Sequence, residues 1–334
     1  MLRVSGPVSL AVLTFKNINI LFFGDEHDSK KGLCKSCKQD KNCVYIPEFL
    51  QSLKNPVDIF IESFWKADKT KMTSSDVIGN VVNYFNENMY LHKQQSQGQR
   101  VHYIDIRDED TLECFLLIMM SLLLKVTSHR DQDKIQAPFE ILQYFKTTQR
   151  FNEFANILLV SNDFNKSISQ KFPKTISHHF IKNTNLTNIP GTTKRTIHRI
   201  RKQILKLTPS DKKSLLEYHR HRCIEIIHET KEYDDINKMK ELSNAEHVIM
   251  LDTVMSWMTH IMDMYALARM LHYMNNNKSH TIAVYAGDYH TYNYMKFFSK
   301  YLKAKIVHYQ NTENTSKEKR CVTLPLEFVK KICI

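Results

Sequence analysis

The chain has 334 residues, of which 42% are hydrophobic and 25% are charged, and its formal net charge is +12. These values are typical of a globular protein, and the length predicts one large domain with an insertion or two domains. No apolar run approaches the roughly 18 residues that a membrane-spanning helix needs, so the sequence predicts no membrane span.

Strand and helix signals alternate through the first third of the chain. The predicted strands are 18–23, 57–62 and 101–106. The helices that alternate with them are predicted at about 44–54, 75–95 and 109–127. This order predicts a parallel sheet, and we expect an α/β fold with a central parallel or mixed sheet flanked by helices.

Strand signals fade in the middle of the chain and return near its end. We therefore predict three parts, namely a first part of the α/β core at 1–130, a helical insertion at 131–243 and a second part of the core at 244–334. The last part is predicted to begin with a long helix at about 244–275. A strand at 282–287, a helix at 291–302 and a strand at 305–310 follow, and 322–334 is predicted to form a short strand and helix.

The pattern Gly-Asp-x-His occurs twice, at 24–27 and 287–290, each time directly after an apolar run. Glu62 likewise ends a predicted strand. Because ligands of open α/β sheets collect at the carboxyl ends of parallel strands, we expect these residues to line one cleft. Histidine and carboxylate side chains there can bind a metal or transfer a proton. The candidate catalytic residues are His27, His290, Glu62, Asp25 and Asp288.

Two interpretations of this group are open. In the first, His27, Glu62 and His290 bind a divalent metal ion, zinc or manganese, or act as general base on water, while Asp25 and Asp288 orient the histidines or serve as ligands. In the second, the residues are structural. Asp25 then caps the next segment, His27 faces water, and Glu62 caps a helix or pairs with an arginine.

Four further residues are candidates for substrate binding. Asp105 and Arg107 end the third predicted strand. Arg107 suits an anionic group of a substrate, and a structural ion pair with Glu62 or Asp108 is an equal alternative. Asp263 lies on a narrow polar stripe of the long helix, which a solvent-facing seam also explains. Arg269 lies off that stripe among apolar residues, so we expect it to pair with a buried group.

The first loop carries the spacing C-x2-C-x5-C at Cys34, Cys37 and Cys43. This spacing suits three thiolate ligands of a small zinc site, but no fourth ligand is visible in it. A disulfide, a redox pair or free cysteines are the alternatives. The chain has seven cysteines, an odd number, which favours a reducing compartment over secretion.

A basic segment lies at 194–213, with eight basic residues and one acidic residue. Such a segment could contact nucleic acid or acidic lipid, and a solvated helix face is the alternative.

These motifs resemble those of the erythromycin-esterase/ChaN-like superfamily, which also includes the TraB and TIKI proteins. Its members have a first strand ending in Gly-x-x-His, a second ending in Glu and a late strand ending in Gly-x-x-His, which match 24–27, Glu62 and 287–290 here. The Cys-bearing loop, the helix pattern Asp263-x-Tyr265-x3-Arg269 and YAGDYHT also resemble an uncharacterised family of large nucleocytoplasmic DNA viruses. The resemblance covers about 1–127 and 244–311.

The resemblance implies an α/β fold with a pocket at the strand ends and a location in the host cytoplasm or the virion. Its superfamily includes esterases, metal-dependent peptidases and haem binders. We therefore expect a hydrolase-like enzyme, dependent on a divalent metal, with a small-molecule or peptide substrate. The alternatives are a catalytically inactive viral structural or host-interaction protein that contacts nucleic acid through 194–213, and a haem-binding module. The sequence predicts no particular oligomeric state.

Overall fold

The computed structural model describes residues 1–26, 34, 37, 40–54, 56–63, 77–91, 99–105, 170, 199–200, 202–229, 244–276, 280–312 and 320–333. The chain forms two compact units, one made of Met1–Asp105 with Ala266–Ile334 and the other of Ile106–Tyr265. The predicted boundaries of the helical insertion, 131 and 243, lie outside the described residues and stay a prediction.

The described residues form nine strands and six α-helices. The strands are β1 Leu2–Ser5, β2 Ser9–Phe15, β3 Ile18–Asp25, β4 Cys43–Tyr45, β5 Val57–Ile61, β6 Gln99–Tyr103, β7 Thr281–Gly287, β8 Lys305–Asn311 and β9 Cys321–Leu324. The helices are α1 Ile46–Gln51, α2 Val77–Leu91, α3 Pro209–Glu229, α4 Asn244–Asn276, α5 Asp288–Lys296 and α6 Leu326–Ile332, and a π-helical turn, Phe297–Tyr301, follows α5.

Six strands of the first unit form one mixed sheet in the order β6-β5-β7-β3-β2-β8. The four strands from β6 to β3 are parallel, whereas β2 is antiparallel to both β3 and β8. The hairpin between β2 and β3 turns at Lys16 and Asn17, which both have positive φ. The predicted α/β fold with a central sheet is confirmed, and the sheet is mixed because this hairpin adds antiparallel strands to its edge.

Apolar side chains cover both faces of the sheet. On one face, Ile59, Ile61 and Phe23 belong to a cluster that includes Phe49 of α1 and Val81 of α2. The other face of β3 is covered by α5 and the π-helical turn. There the ring of Phe22 lies 6.1 Å from that of Tyr294 and 5.8 Å from that of Phe298, between ring centroids. Because both faces are buried, β3, β5 and β7 are predominantly apolar, with Asp58 of β5 as a buried exception.

A second, three-stranded sheet has the order β4-β1-β9, with β4 parallel and β9 antiparallel to β1. Val4, at the centre of β1, is fully buried in the same apolar cluster as the large sheet, as is Val322 of β9. This face of the small sheet therefore packs against the core.

The second unit is helical wherever its elements are described, with α3 and the part of α4 up to Tyr265. Two buried histidines meet there, and Nδ1 of His219 lies 2.7 Å from Nε2 of His260. Burial lowers the pKa of His219 to about 4 and lowers the pKa of His260 well below its ordinary value. Both rings are therefore neutral near pH 7. Within the described part of the chain, no helix is both long and apolar enough to cross a membrane.

Candidate functional site

Glu62 and His290 meet at the carboxyl edge of the large sheet. Both side chains are buried, and Oε1 of Glu62 lies 3.4 Å from Nε2 of His290. The other carboxylate oxygen, Oε2, accepts a hydrogen bond of 2.7 Å from the backbone N–H of Gly287. One oxygen of Glu62 is thus fixed by the backbone while the other faces the imidazole.

The sheet itself holds Glu62 in this position. The N–H of Glu62 donates to the carbonyl of Tyr285 at 3.0 Å, so pairing between the two chain segments continues past the end of β5. Gly287 is the N-cap of α5 and supplies no capping side chain of its own. The carboxylate of Glu62, which follows the neighbouring strand β5, caps the start of α5 instead. The positive end of the helix dipole favours a negative charge at this position.

Asp288 begins α5 and forms a second polar group beside Gly24. Its Oδ1 accepts a short hydrogen bond from the hydroxyl of Ser9, and the hydroxyl of Thr291 donates to its carbonyl at 2.9 Å. A Cβ on Gly24 would collide with Asp288 Oδ1 and Ser9 Oγ and would lie 2.8 Å from Thr291 Oγ1. The glycine of the first motif is therefore required for this close approach.

Asp25 forms a buried ion pair with Arg320. The guanidinium Nη1 contacts Asp25 Oδ1 at short distance and also donates to the carbonyl of Gly6 at 3.0 Å. Burial raises the pKa of Tyr285 well above its ordinary value, and the nearby charge of Asp25 raises it further. Asp25 is thus held at the end of β3 by a buried arginine.

Four predicted catalytic residues lie at the ends of three adjacent strands. Asp25 ends β3 and pairs in register with Gly287 at the end of β7, Glu62 follows β5, and Asp288 and His290 lie in the first turn of α5. His27, the fifth predicted catalytic residue, lies outside the described residues, so its role stays a prediction.

The predicted substrate-binding residues are more dispersed. Arg107 lies outside the described residues, and Asp105 is half-buried beyond the end of β6. Arg269 belongs to the first unit, where its Nη1 donates to the carbonyl of Tyr103 at 2.8 Å and its Nη2 lies 3.3 Å from Nδ1 of His102. Asp263 belongs to the second unit and is completely buried.

A buried polar network in β5 and β6 was not predicted. Asp58 accepts two hydrogen bonds of 2.7 Å from Arg100, and its Oδ1 lies 2.7 Å from Nε2 of His102. Burial lowers the pKa of His102, although the hydrogen bond to Asp58 opposes this shift. The available signal was the single aspartate within the apolar run Val57–Ile61, since a carboxylate in such a strand requires a buried partner.

Ser9 and Arg320 were also missed. Ser9 pairs with Gly24 across the hairpin of β2 and β3, and Arg320 precedes β9, 295 positions from Asp25. No short-range pattern connects either residue to the motifs, so the sequence carried no signal for them.

A cysteine cluster could hold a metal ion. The Sγ atoms of Cys34, Cys37 and Cys321 all lie within 4.8 Å of one another. The same cluster contains two pairs at disulfide-bonding distance, Cys34 with Cys321 and Cys37 with Cys43. Among the described residues, Cys34, Cys37 and Cys321 form the one group of at least three potential metal ligands whose ligand atoms lie this close together.

The chain matches no protein-family model, no curated protein and no solved structure. The resemblance to the erythromycin-esterase/ChaN-like superfamily and to a viral family therefore stays a prediction. The geometry of the site carries the functional argument.

Proposed function

We propose that the chain is a hydrolase-like enzyme with its active site at the carboxyl ends of β3, β5 and β7. The observation that carries this proposal is the buried pair of His290 and Glu62, with 3.4 Å between Nε2 and Oε1. A histidine beside a fixed carboxylate is the arrangement that general-base catalysis uses to activate water.

Each residue of the pair has a definite role. When Nε2 carries the proton that faces Glu62, Nδ1 is the nitrogen that accepts the proton of the attacking water. The carboxylate of Glu62 fixes this tautomer and stabilises the imidazolium that forms. The hydrogen bond from Gly287 to Oε2 restricts rotation of the carboxylate, so Oε1 stays directed toward the ring.

Asp25 and Asp288 have different roles in this proposal. Asp288 is half-buried and begins α5, so its carboxylate can accept a hydrogen bond from a substrate hydroxyl or amide. Asp25 is paired with Arg320, which keeps it ionised and unsuited to proton transfer. We assign Asp25 a positioning role at the end of β3.

The pair also fits a divalent metal ion, zinc or manganese. Two ligand atoms that share a tetrahedral zinc ion are about 3.3 Å apart, since each bond is about 2 Å, and the observed 3.4 Å agrees with this. Glu62 and His290 would be two ligands, and His27 is the third candidate. A bound metal would lower the pKa of a coordinated water, which is the chemistry that a metallopeptidase or metal-dependent esterase requires.

The test compares His290→Ala and Glu62→Gln with the wild-type protein against a panel of p-nitrophenyl esters and fluorogenic peptides. His280→Ala is the matched control, because His280 is exposed and lies at the opposite end of β7. We expect turnover in the wild type and the control and a loss of at least about 100-fold in the two site variants. Equal turnover in the His290→Ala variant, or no turnover of any panel member by the wild type, would contradict the proposal.

A second candidate function is contact with a polyanion through the basic segment 194–213. Within this segment Arg199, Lys202, Lys206 and Lys213 are all exposed, while the one acidic residue, Asp211, is buried and accepts a hydrogen bond of 2.7 Å from Thr208. The exposed charge is therefore entirely positive among the described residues of the segment, which favours nucleic-acid phosphates as the partner.

A further inference from the structure

We propose that Cys34, Cys37, Cys43 and Cys321 bind one zinc ion through four thiolates. The site is structural and separate from the pair of Glu62 and His290. It completes the loop spacing C-x2-C-x5-C with a fourth ligand that lies 287 positions beyond Cys34.

Three of the four sulfur atoms lie close together, and a tetrahedral centre would require the two sulfur–sulfur contacts that are at disulfide-bonding distance to lengthen. In a zinc site with four thiolates, the zinc–sulfur distance of about 2.3 Å puts the sulfur atoms about 3.8 Å apart. Cys34, Cys37 and Cys321 have their Sγ atoms within 4.8 Å of one another, and Sγ of Cys43 lies against that of Cys37. Two independent disulfides would not require Cys34 and Cys37, which belong to different pairs, to be so close.

The small sheet brings two ligands to the same face. Cys43 pairs with Arg3 and Cys321 pairs with Ser5, on opposite sides of β1. Residues two apart on a strand, and their cross-strand partners, face the same side. Val4 faces the apolar core, so its neighbours Arg3 and Ser5 face the other side of the sheet. Cys43 and Cys321, which pair with them, therefore lie on that other face.

Backbone hydrogen bonds fix the other two ligands over that face. The N–H of Cys34 donates to Oγ of Ser5 at 3.1 Å, and the N–H of Cys37 donates to the carbonyl of Cys34 at 3.2 Å. A second turn ends at Cys43, whose N–H donates to the carbonyl of Asp40 at 3.0 Å. Both turns therefore place a cysteine at their last residue, beside the cysteines of the sheet.

The local charge favours thiolates. The sequence between positions 30 and 43 contains five lysines and one acidic residue, and Arg3 pairs in register with Cys43. Four thiolates and one zinc ion carry a net charge of about −2, which these cations offset.

Redox balance also favours the metal. Two disulfides form from four thiols only if an oxidant removes four electrons, whereas zinc displaces protons from the thiols and needs no oxidant. Cys333 is a free, half-buried cysteine whose Sγ accepts a hydrogen bond from Ser52 at 3.6 Å.

The ion would join the cysteine cluster to the candidate active site. Cys321 directly follows Arg320, whose guanidinium holds Asp25 at the end of β3. Zinc bound to Cys321 would thus hold the backbone next to Arg320 in place. The hydrogen bond from the Arg320 guanidinium to the carbonyl of Gly6 holds the arginine side chain.

The experiment measures zinc and thiols in the full chain, purified in the absence of oxygen with neither a reductant nor a chelator. We expect about one zinc ion per chain at this site and, after denaturation with chelator and without reductant, seven titratable thiols. Two disulfides would leave three thiols, because four of the seven cysteines would be bonded. Three thiols and no thiolate-bound metal would overturn the proposal.

Cobalt substitution separates this site from a metal at His290. The thiolate-to-cobalt charge-transfer band should have the same intensity in the wild type and in His290→Ala, and a lower intensity in Cys321→Ser, while Cys333→Ser is the matched control that keeps the full intensity. A band of undiminished intensity in Cys321→Ser would remove Cys321 from the ligand set. If Cys321→Ser does not fold, the cobalt spectrum and thiol count of the wild type still decide between four thiolates and two disulfides.

Discussion

The carboxylate of Glu62 caps the backbone N–H of Gly287, a residue 225 positions later in the chain. This bond joins the end of β5 to the start of α5 and fixes the oxygen that faces His290. It gives Glu62 two separable contributions, one to the stability of the helix start and one to the orientation of the imidazole.

The two contributions predict different effects for two substitutions at Glu62. Glu62→Gln retains an acceptor for the N–H of Gly287, so we expect a small loss of stability with a large loss of turnover. Glu62→Ala leaves that buried N–H without its carboxylate and should cost about 1–3 kcal/mol of unfolding free energy as well. Urea denaturation and ester hydrolysis by the same preparations check this. Equal stability of the two variants would contradict the capping role.

Removing one partner of the Asp25–Arg320 pair should be strongly destabilising. Both side chains are buried, so Arg320→Met leaves the Asp25 charge without its counterion, at a cost of about 3–5 kcal/mol. The double variant Asp25→Asn/Arg320→Met should lose less than the sum of the single variants. Glu225→Gln is the control, because its pair with Arg222 is exposed on the glutamate side and should change stability by less than about 1 kcal/mol.

The pair of His219 and His260 should make stability depend on pH. Burial lowers the pKa of His219 from 6.5 to about 4, so the unfolded chain binds a proton that the folded chain excludes. Stability is therefore full above about pH 6.5 and falls as the pH decreases toward 4, by roughly 3 kcal/mol for this residue. Thermal denaturation from pH 8 to pH 4 tests the sign. His219→Gln should flatten the profile, whereas His280→Gln at an exposed position should not.

A methyl group at Gly24 should displace Asp288. Gly24→Ala brings Cβ into Asp288 Oδ1 and Ser9 Oγ, so we expect a loss of about 1–3 kcal/mol and reduced turnover. Removing the hydroxyl in Gly24→Ala/Ser9→Ala relieves one of the two collisions and should recover part of the stability. Chemical denaturation of the two single variants and the double variant measures this, and strict additivity would argue against the collision.

The polyanion hypothesis predicts salt-dependent binding. Neutralising Lys202, Lys206 and Lys213 to Gln should weaken binding to a mixed-sequence DNA duplex and lower the slope of log K against log salt by up to about 3. The control neutralises Lys300, Lys330 and Lys331, which are exposed elsewhere in the chain. Fluorescence anisotropy across a salt series gives both slopes, and equal slopes for the two triple variants would remove this function.

The strands that carry the site were predictable because each is predominantly apolar. Burial on both faces leaves this pattern in β3, β5 and β7, and the polar residues that follow mark the carboxyl edge. The structure places Asp25, Glu62, Asp288 and His290 at that edge, and the catalytic role predicted for them and for His27 stays a prediction. The helix predicted at 291–302 begins three residues earlier, at Asp288, because its cap comes from Glu62 and leaves no local sequence signal.

Other parts depend on pairings that no local pattern encodes. The prediction omitted β1 and β2, and the turn that joins β2 to β3 uses Lys16 and Asn17 at positive φ without a glycine. Cys321 and Arg320 join the earlier cysteines and Asp25 only through the register of β9 on β1. Such long-range partners follow from strand order, which the sequence alone does not determine.

The position of β7 also bears on how the protein folds during synthesis. It lies between β3 and β5 and forms hydrogen bonds with both, yet it is made more than 200 residues after either. The two early strands have no direct pairing with each other, so a nascent chain that ends before Thr281 has a divided sheet. Folding must then close a long loop before the central contacts form, which makes it slow. The edge that carries Glu62 and His290 and the complete sheet arise in the same late step, and truncated chains should contain neither.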